Sequence, residues 1–164
     1  GHALSREMLA LSRDKNPKKR DIPPCPGTVF IGNNGKPMVN DCYFNISHSH
    51  GLVACAVSDV PVGIDVEKIR PVPPRLMDIL SPQEWESVRC DADFFRLWTL
   101  KEALIKCRGG VLGQIRHVHF DLNGSSIICS VPGYSFSLLP APAGYAAALC
   151  WDNIEEATES EKQK

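Results

Sequence analysis

Residues 52–67 read LVACAVSDVPVGIDVE, and this stretch restricts the fold more than any other. Leu52 to Ser58 is a continuous apolar run of strand length, the pattern of a buried central strand. Asp59-Val60-Pro61 turns the chain. Val62 to Glu67 resumes as a strand, and its period of two sets Val62, Ile64 and Val66 on one face and Gly63, Asp65 and Glu67 on the other. Strands disfavour aspartate, and two carboxylates on neighbouring same-face positions repel each other. Two readings are open: a solvated outer face, or a cleft wall that holds a cation. Oxygen-only ligands favour a hard ion, Mg²⁺ or Mn²⁺, which binds one or two carboxylates together with substrate phosphates.

The strongest helix signal is FFRLWTLKEALIKC, residues 94–107, closed by Gly109-Gly110. Phe94, Leu97, Trp98, Leu104 and Ile105 share its apolar arc. Glu102 and Lys106 are four apart and reach each other turn to turn, as a surface ion pair or as part of a site. Lys101 projects within the apolar arc, where a buried ammonium is costly without a partner. It either snorkels to solvent or reaches an anion in a cleft. A second helix start lies at Leu80-Ser81-Pro82-Gln83-Glu84. Ser81 is a good N-cap, Pro82 suits the first turn and Glu84 completes a capping box.

Elsewhere the chain alternates short elements with turns. Residues 3–13 place Leu4, Met8 and Leu11 at helical spacing. Residues 15–27, KNPKKRDIPPCPG, are a basic, proline-rich connector. Strands are expected at 28–32 and 43–47, and near 116–121, 126–131, 134–139 and 144–151. A turn at 33–37 carries Lys36, and a proline-rich loop spans 70–74. Hairpins mixed with helices point to an α+β fold. Gly51-Leu-Val-Ala and Gly144-Tyr-Ala-Ala open two similar apolar strands, a hint of internal duplication. The 164 residues suffice for one domain, expected over 1–152 with a polar tail at 153–164. In FNISHSHG, residues 44–51, His48 and His50 can be metal ligands, phosphate ligands or plain loop histidines.

The bulk numbers exclude several classes. A net charge of −1 is not that of a global polycationic nucleic-acid binder. Seven cysteines, an odd number without a C-x-x-C pair, read as small buried hydrophobes in a reducing compartment rather than as disulfides or a zinc knuckle. No apolar run approaches the roughly 18 residues of a membrane helix, and no secretory signal is visible. The expectation is a cytoplasmic protein acting on neither membrane nor nucleic acid.

Taken in order, GKP, FNISHS, VGIDVE and WTLKEALIK resemble the 4'-phosphopantetheinyl transferases of the surfactin-synthetase (Sfp) type. That family's signature is a G-I/V-D-x-E strand followed by W-x-x-K-E-x-x-x-K. Gly63-Ile64-Asp65-Val66-Glu67 and Trp98-Thr99-Leu100-Lys101-Glu102-Ala103-Leu104-Ile105-Lys106 fill both halves. The resemblance runs from about residue 3 to residue 151.

The resemblance implies an α+β pseudo-dimer, two small halves about a pseudo-twofold axis with coenzyme A in the cleft between them. The implied reaction moves the 4'-phosphopantetheine arm of coenzyme A to a serine of an apo acyl or peptidyl carrier protein and releases adenosine 3',5'-bisphosphate. Asp65, Glu67 and Glu102 fall on the family's Mg²⁺ positions, with Mn²⁺ as a substitute ion. Glu102 also falls on the general-base position, taking the serine proton directly or through a water. Lys106 falls on the lysine that binds the pyrophosphate and protonates the departing bisphosphate, and Lys101 would add to the same anionic pocket. Lys36, Ser47 and His48 fall on positions that hold the 3'-phosphate and adenosine end. His50 has no counterpart in the motif.

The family pattern carries a strand and a basic loop before the first helix, and this chain is expected to begin at that helix, as a compact variant, a trimmed chain or a half that a second chain completes. A monomeric pseudo-dimer is expected, with a homodimer through an unpaired edge as the alternative. Two other functions remain to be weighed. One is an inactive module that binds coenzyme A or a carrier protein. The other is a metal-dependent hydrolase using His48 and His50 with Asp65, which lacks a third His or Cys at supporting spacing.

Overall fold

A computed structural model of the chain describes residues 10–12, 29–31, 37–39, 43–110 and 112–153. Strands β1 (Ala10–Ser12), β2 (Val29–Ile31), β3 (Pro37–Val39), β4 (Tyr43–Ser49), β5 (Leu52–Ser58) and β6 (Val62–Lys68) come first. Helices α1 (Pro82–Ser87) and α2 (Asp91–Arg108) follow, then β7 (Phe120–Asn123), β8 (Ser126–Cys129), β9 (Tyr134–Leu138) and β10 (Tyr145–Asp152). Single 3-10 segments cover Pro74–Ile79 and Leu112–His117. No described helix is long and apolar enough to cross a membrane.

The strands form two three-stranded antiparallel sheets, ordered β1-β5-β4 and β6-β10-β9, and two hairpins, β2-β3 and β7-β8. The same plan therefore runs twice along the chain. An edge strand comes first, then a small hairpin, then a second hairpin whose last strand returns to the sheet centre. Gly51 and Gly144, at φ 84° and 82°, stand just before the two central strands. The duplication hinted at by their sequences is thus a repeat of topology within an α+β fold.

Several boundaries differ from the sequence expectation. Ala10–Ser12 is not helical but pairs with Val53 to Cys55 on β5. Pairing with a sheet has overridden an apolar spacing that fits a helix. The rest of 3–13, the basic connector, Lys36 and two of the cysteines lie outside the described residues. Residues 112–117 form a 3-10 segment, and the strand expected near 116 begins at Phe120. Helix α2 starts three residues before Phe94, where Asp93 caps the amide of Cys90. Cys107 and Cys150 are buried as expected, whereas Cys90 is exposed.

The two key strands also exchange their expected burial. Strand β5 is central in its sheet, but only Leu52, Ala54 and Ala56 are fully buried; its other face is half-buried. Strand β6 is buried on both faces from Val62 to Val66. Val62, Ile64 and Val66 pack on Leu52, Ala54, Ala56 and Ala147 between the two sheets. Each buried Val, Ile or Leu side chain there contributes about 1.5–3 kcal/mol. The opposite face of β6 lies under α2, which packs across β6 and β10. Gly63 makes that approach possible, because a Cβ there would run into the carbonyl of Ala103 and the backbone of Cys107. The acidic face of β6 is therefore a wall of the helix–sheet interface, not a solvated surface.

Candidate active site

Asp65 is 4% exposed and faces the C-terminal half of α2. Its Oδ1 accepts from Lys106 Nζ at 2.7 Å and from Ser47 Oγ at 2.8 Å. Its Oδ2 is buried and has no hydrogen-bond partner among the described residues. Burial pushes the Asp65 carboxyl above its ordinary range, and Lys106 and Ser47 pull it back. An unpaired carboxylate oxygen in a buried position is costly. A divalent cation at that oxygen would remove the cost.

Strand β4 supplies the partners through a regular comb. Its inward residues Asn45, Ser47 and Ser49 accept from the amides of Ile64, Val66 and Lys68 at 3.0, 3.2 and 3.1 Å. These side chains satisfy the edge of β6 that no described strand pairs, so they keep its backbone donors there bonded. The two serines also donate to the carboxylates one residue earlier, Ser47 to Asp65 and Ser49 to Glu67 Oε2, each at 2.8 Å. The period of two that places Ser47 inward also places Ser49 inward, and it turns His48 and His50 toward the exposed side.

Glu67 Oε2 accepts a second bond from Arg70 Nη1 at 3.1 Å. Arg70 is itself fixed, donating to Lys68 O at 2.9 Å and lying over the Phe95 ring at 5.1 Å. His50 and Gly51 form the tight β4–β5 turn, both with positive φ, at 45° and 84°, as a two-residue hairpin of the primed type requires. Tyr145 Oη donates to the carbonyl of His50 at 2.8 Å, and His50 Nδ1 lies 3.1 Å from Ser49 Oγ. Ser49 gives its one proton to Glu67 and one lone pair to Lys68 N, so His50 Nδ1 is the nitrogen that donates to it.

Glu102 lies one helical turn before Lys106. Desolvation, reinforced by the charges of Asp65 and Glu67 and opposed by Lys106, raises its carboxyl to about 7. The three carboxylates expected to share a cation therefore feel one another's charge. Among the described residues, no three His, Cys, Asp or Glu groups form a ready-made metal cluster. Mg²⁺ does not need one, since it takes one or two carboxylates and fills its shell with water and phosphate. An all-carboxylate set with an unpartnered Asp65 Oδ2 fits such an ion. It does not fit zinc held by His48 and His50, because Asp65 is engaged by Ser47 and Lys106 and neither histidine bonds to it.

The structure does not bring Lys101 to this group. Lys101 is 0% exposed, and its Nζ bonds to Glu84 Oε2 at 2.8 Å and to Val118 O at 2.6 Å. Burial lowers its pKa, while Glu84 pulls it back up. Glu84 is the capping-box residue expected of α1, accepting from Ser81 N at 2.8 Å and from Phe120 N at 2.9 Å. Lys101 thus ties α2, α1 and the start of β7 together, which explains its place in the apolar arc without a phosphate. Lys106 does belong to the site, bonded across the interface to Asp65 and to Ser47 at 3.0 Å. Ser47 already uses its proton and accepts from Val66 and Lys106, so it holds Asp65 in place. Sequence reasoning missed Asn45, Ser49 and Arg70. The strand period from Ser47 marks the first two, but nothing local marks Arg70, beyond the end of β6.

A family profile described as "4'-phosphopantetheinyl transferase superfamily" matches residues 61–150, more than half of the chain. The 4'-phosphopantetheinyl transferase psf-1 of Bacillus pumilus is 42% identical over 46% of this chain and 37% of its own length. The 4'-phosphopantetheinyl transferase gsp of Aneurinibacillus migulanus is 40% identical, over 57% of this chain and 44% of its own. Sfp of Bacillus subtilis (strain 168) is 31% identical, over 71% and 59%. The chain spans about half the length of these curated relatives. The matched span holds β6 with its two acids and α2 with Glu102 and Lys106, and this chain belongs to the 4'-phosphopantetheinyl transferase superfamily.

Proposed function

We propose that this chain transfers the 4'-phosphopantetheine arm of coenzyme A to a serine of an acyl or peptidyl carrier protein, with Mg²⁺, releasing adenosine 3',5'-bisphosphate. The observation that carries this reading is the junction of β6 and α2. There Asp65 is bonded to Lys106 through one oxygen, keeps the other buried with no hydrogen-bond partner among the described residues, and shares its field with Glu102. Phosphoryl transfer asks the protein for positioning and charge more than for covalent chemistry. Mg²⁺ held by Asp65, Glu67 and Glu102 would neutralise charge on the pyrophosphate.

The carrier serine oxygen forms its bond to the phosphorus next to pantetheine as the bond from that phosphorus to the bisphosphate oxygen breaks. Glu102 takes the serine proton as general base; in the metal-free chain burial raises its carboxyl to about 7. Lys106 donates to the departing oxygen. His48, on the exposed side of β4, and Lys36 would meet the 3'-phosphate end of the coenzyme. A cytoplasmic setting would supply both substrates.

The test follows adenosine 3',5'-bisphosphate by chromatography after the chain is mixed with coenzyme A, Mg²⁺ and an apo carrier protein. Release that requires all three supports the reading. Coenzyme A bound without release would point to a non-catalytic binding module.

A further inference from the structure

The two acids of β6 are held in the same way. Asp65 takes a β4 serine, Ser47, and a cation, Lys106, on one oxygen. Glu67 takes the next inward serine, Ser49, and a cation, Arg70, on one oxygen, Oε2. In each case the second carboxylate oxygen accepts no hydrogen bond among the described residues. Resting on the function proposed above, we infer that Ser49 and Arg70 are positioning residues that pin Glu67 through Oε2 and hold its Oε1 free for the cation.

The physical argument is one of restriction. A glutamate has three side-chain torsions, and ordering a side chain that long has an entropic cost. Two donors on a single oxygen fix the carboxylate plane before any cation arrives. Each donor is fixed in turn. Ser49 Oγ is set by the Lys68 amide and by His50 Nδ1, whose own residue is locked in the turn by Tyr145. Arg70 is set by the Lys68 carbonyl and the Phe95 ring. Replacing a group that orients a ligand in this way typically costs about 10–100-fold in metal affinity or activity. Ser49 and Arg70 touch neither the reacting phosphorus nor the serine nucleophile, so their effect should fall on metal affinity.

The experiment measures Mn²⁺ binding to the full chain with coenzyme A present, by paramagnetic resonance of the free ion, alongside the Mg²⁺ dependence of transfer. Ser49→Ala and Arg70→Gln should each weaken Mn²⁺ binding by about tenfold or more and raise the Mg²⁺ needed for half-maximal rate in step. The rate at saturating Mg²⁺ should change little. Ser49→Thr and Arg70→Lys, which keep the hydroxyl and the charge, should recover most of the affinity. Arg70 lies near the surface, so Arg70→Gln keeps the test valid if Ser49→Ala folds poorly. Wild-type Mn²⁺ affinity in a folded Arg70→Gln overturns the inference while leaving the proposed transferase intact. A wild-type chain that neither binds Mn²⁺ nor transfers overturns both.

Discussion

Lys106 Nζ stands 2.7 Å from Asp65 Oδ1, joining the last turns of α2 to the middle of β6. Lys106→Ala removes this link and the cation expected beside the leaving bisphosphate. Turnover should fall on the order of a hundredfold or more. The Lys106 side chain is 26% exposed, so the stability cost should be about 1–2 kcal/mol. Initial rates set beside urea melts check this. A loss of stability with an unchanged rate per folded molecule would reduce Lys106 to an anchor for Asp65.

Asp65→Asn keeps the shape of the side chain and an oxygen for Ser47, but it removes the charge. Burial already pushes this carboxyl toward its neutral form, so the neutral amide should fold. Stimulation by Mg²⁺ should vanish. A Mg²⁺ titration of transfer with an accompanying thermal melt decides it, and retained stimulation would remove Asp65 from the metal site.

Lys101→Met strands Glu84 in a buried position. Breaking a buried pair by removing one partner costs about 3–5 kcal/mol, and the double change Lys101→Met with Glu84→Gln should cost less than the two single changes added. The affinity of the remaining folded protein for coenzyme A should not move. A weaker coenzyme affinity at unchanged stability would return Lys101 to the phosphate pocket.

The raised Glu102 carboxyl sets a pH dependence. The folded chain holds this proton up to about 7, against an ordinary value of 4.5. Because the folded state binds the proton more tightly than the unfolded chain, this group's contribution to stability is lost as pH rises through that window. In EDTA, Glu102→Gln should therefore gain stability over the wild type from pH 4.5 to about 7, and the gap should be level above that. Melting curves of both proteins across pH test it, and parallel curves would contradict it.

Much of this was legible locally. The capping box at Ser81 and Glu84, the bounds of β5 and the body of α2 follow from hydrogen-bond chemistry and periodicity within a few residues. The acids of β6 and the W-x-x-K-E-x-x-x-K helix could be read as one site because each is a short, fixed pattern. What could not be read depends on register between elements distant in sequence. Nothing near Lys101 names Glu84 as its partner. Nothing in VGIDVE says that α2 will cover the acidic face, although Gly63 is the residue that allows it. The β4 comb depends on how one strand meets the edge of β6 away from β10, which the pattern of β4 alone leaves open. Ala10–Ser12 reads as helix until β5 is there to pair with it.

The central claim is that this chain itself moves a phosphopantetheine arm. Its most direct test is the intact mass of an apo carrier protein after incubation with the chain, coenzyme A and Mg²⁺. The account predicts that the carrier gains one phosphopantetheine arm and that EDTA abolishes the gain. An unchanged carrier mass, across fatty-acid, polyketide and nonribosomal peptide carriers and with coenzyme A bound, would contradict it.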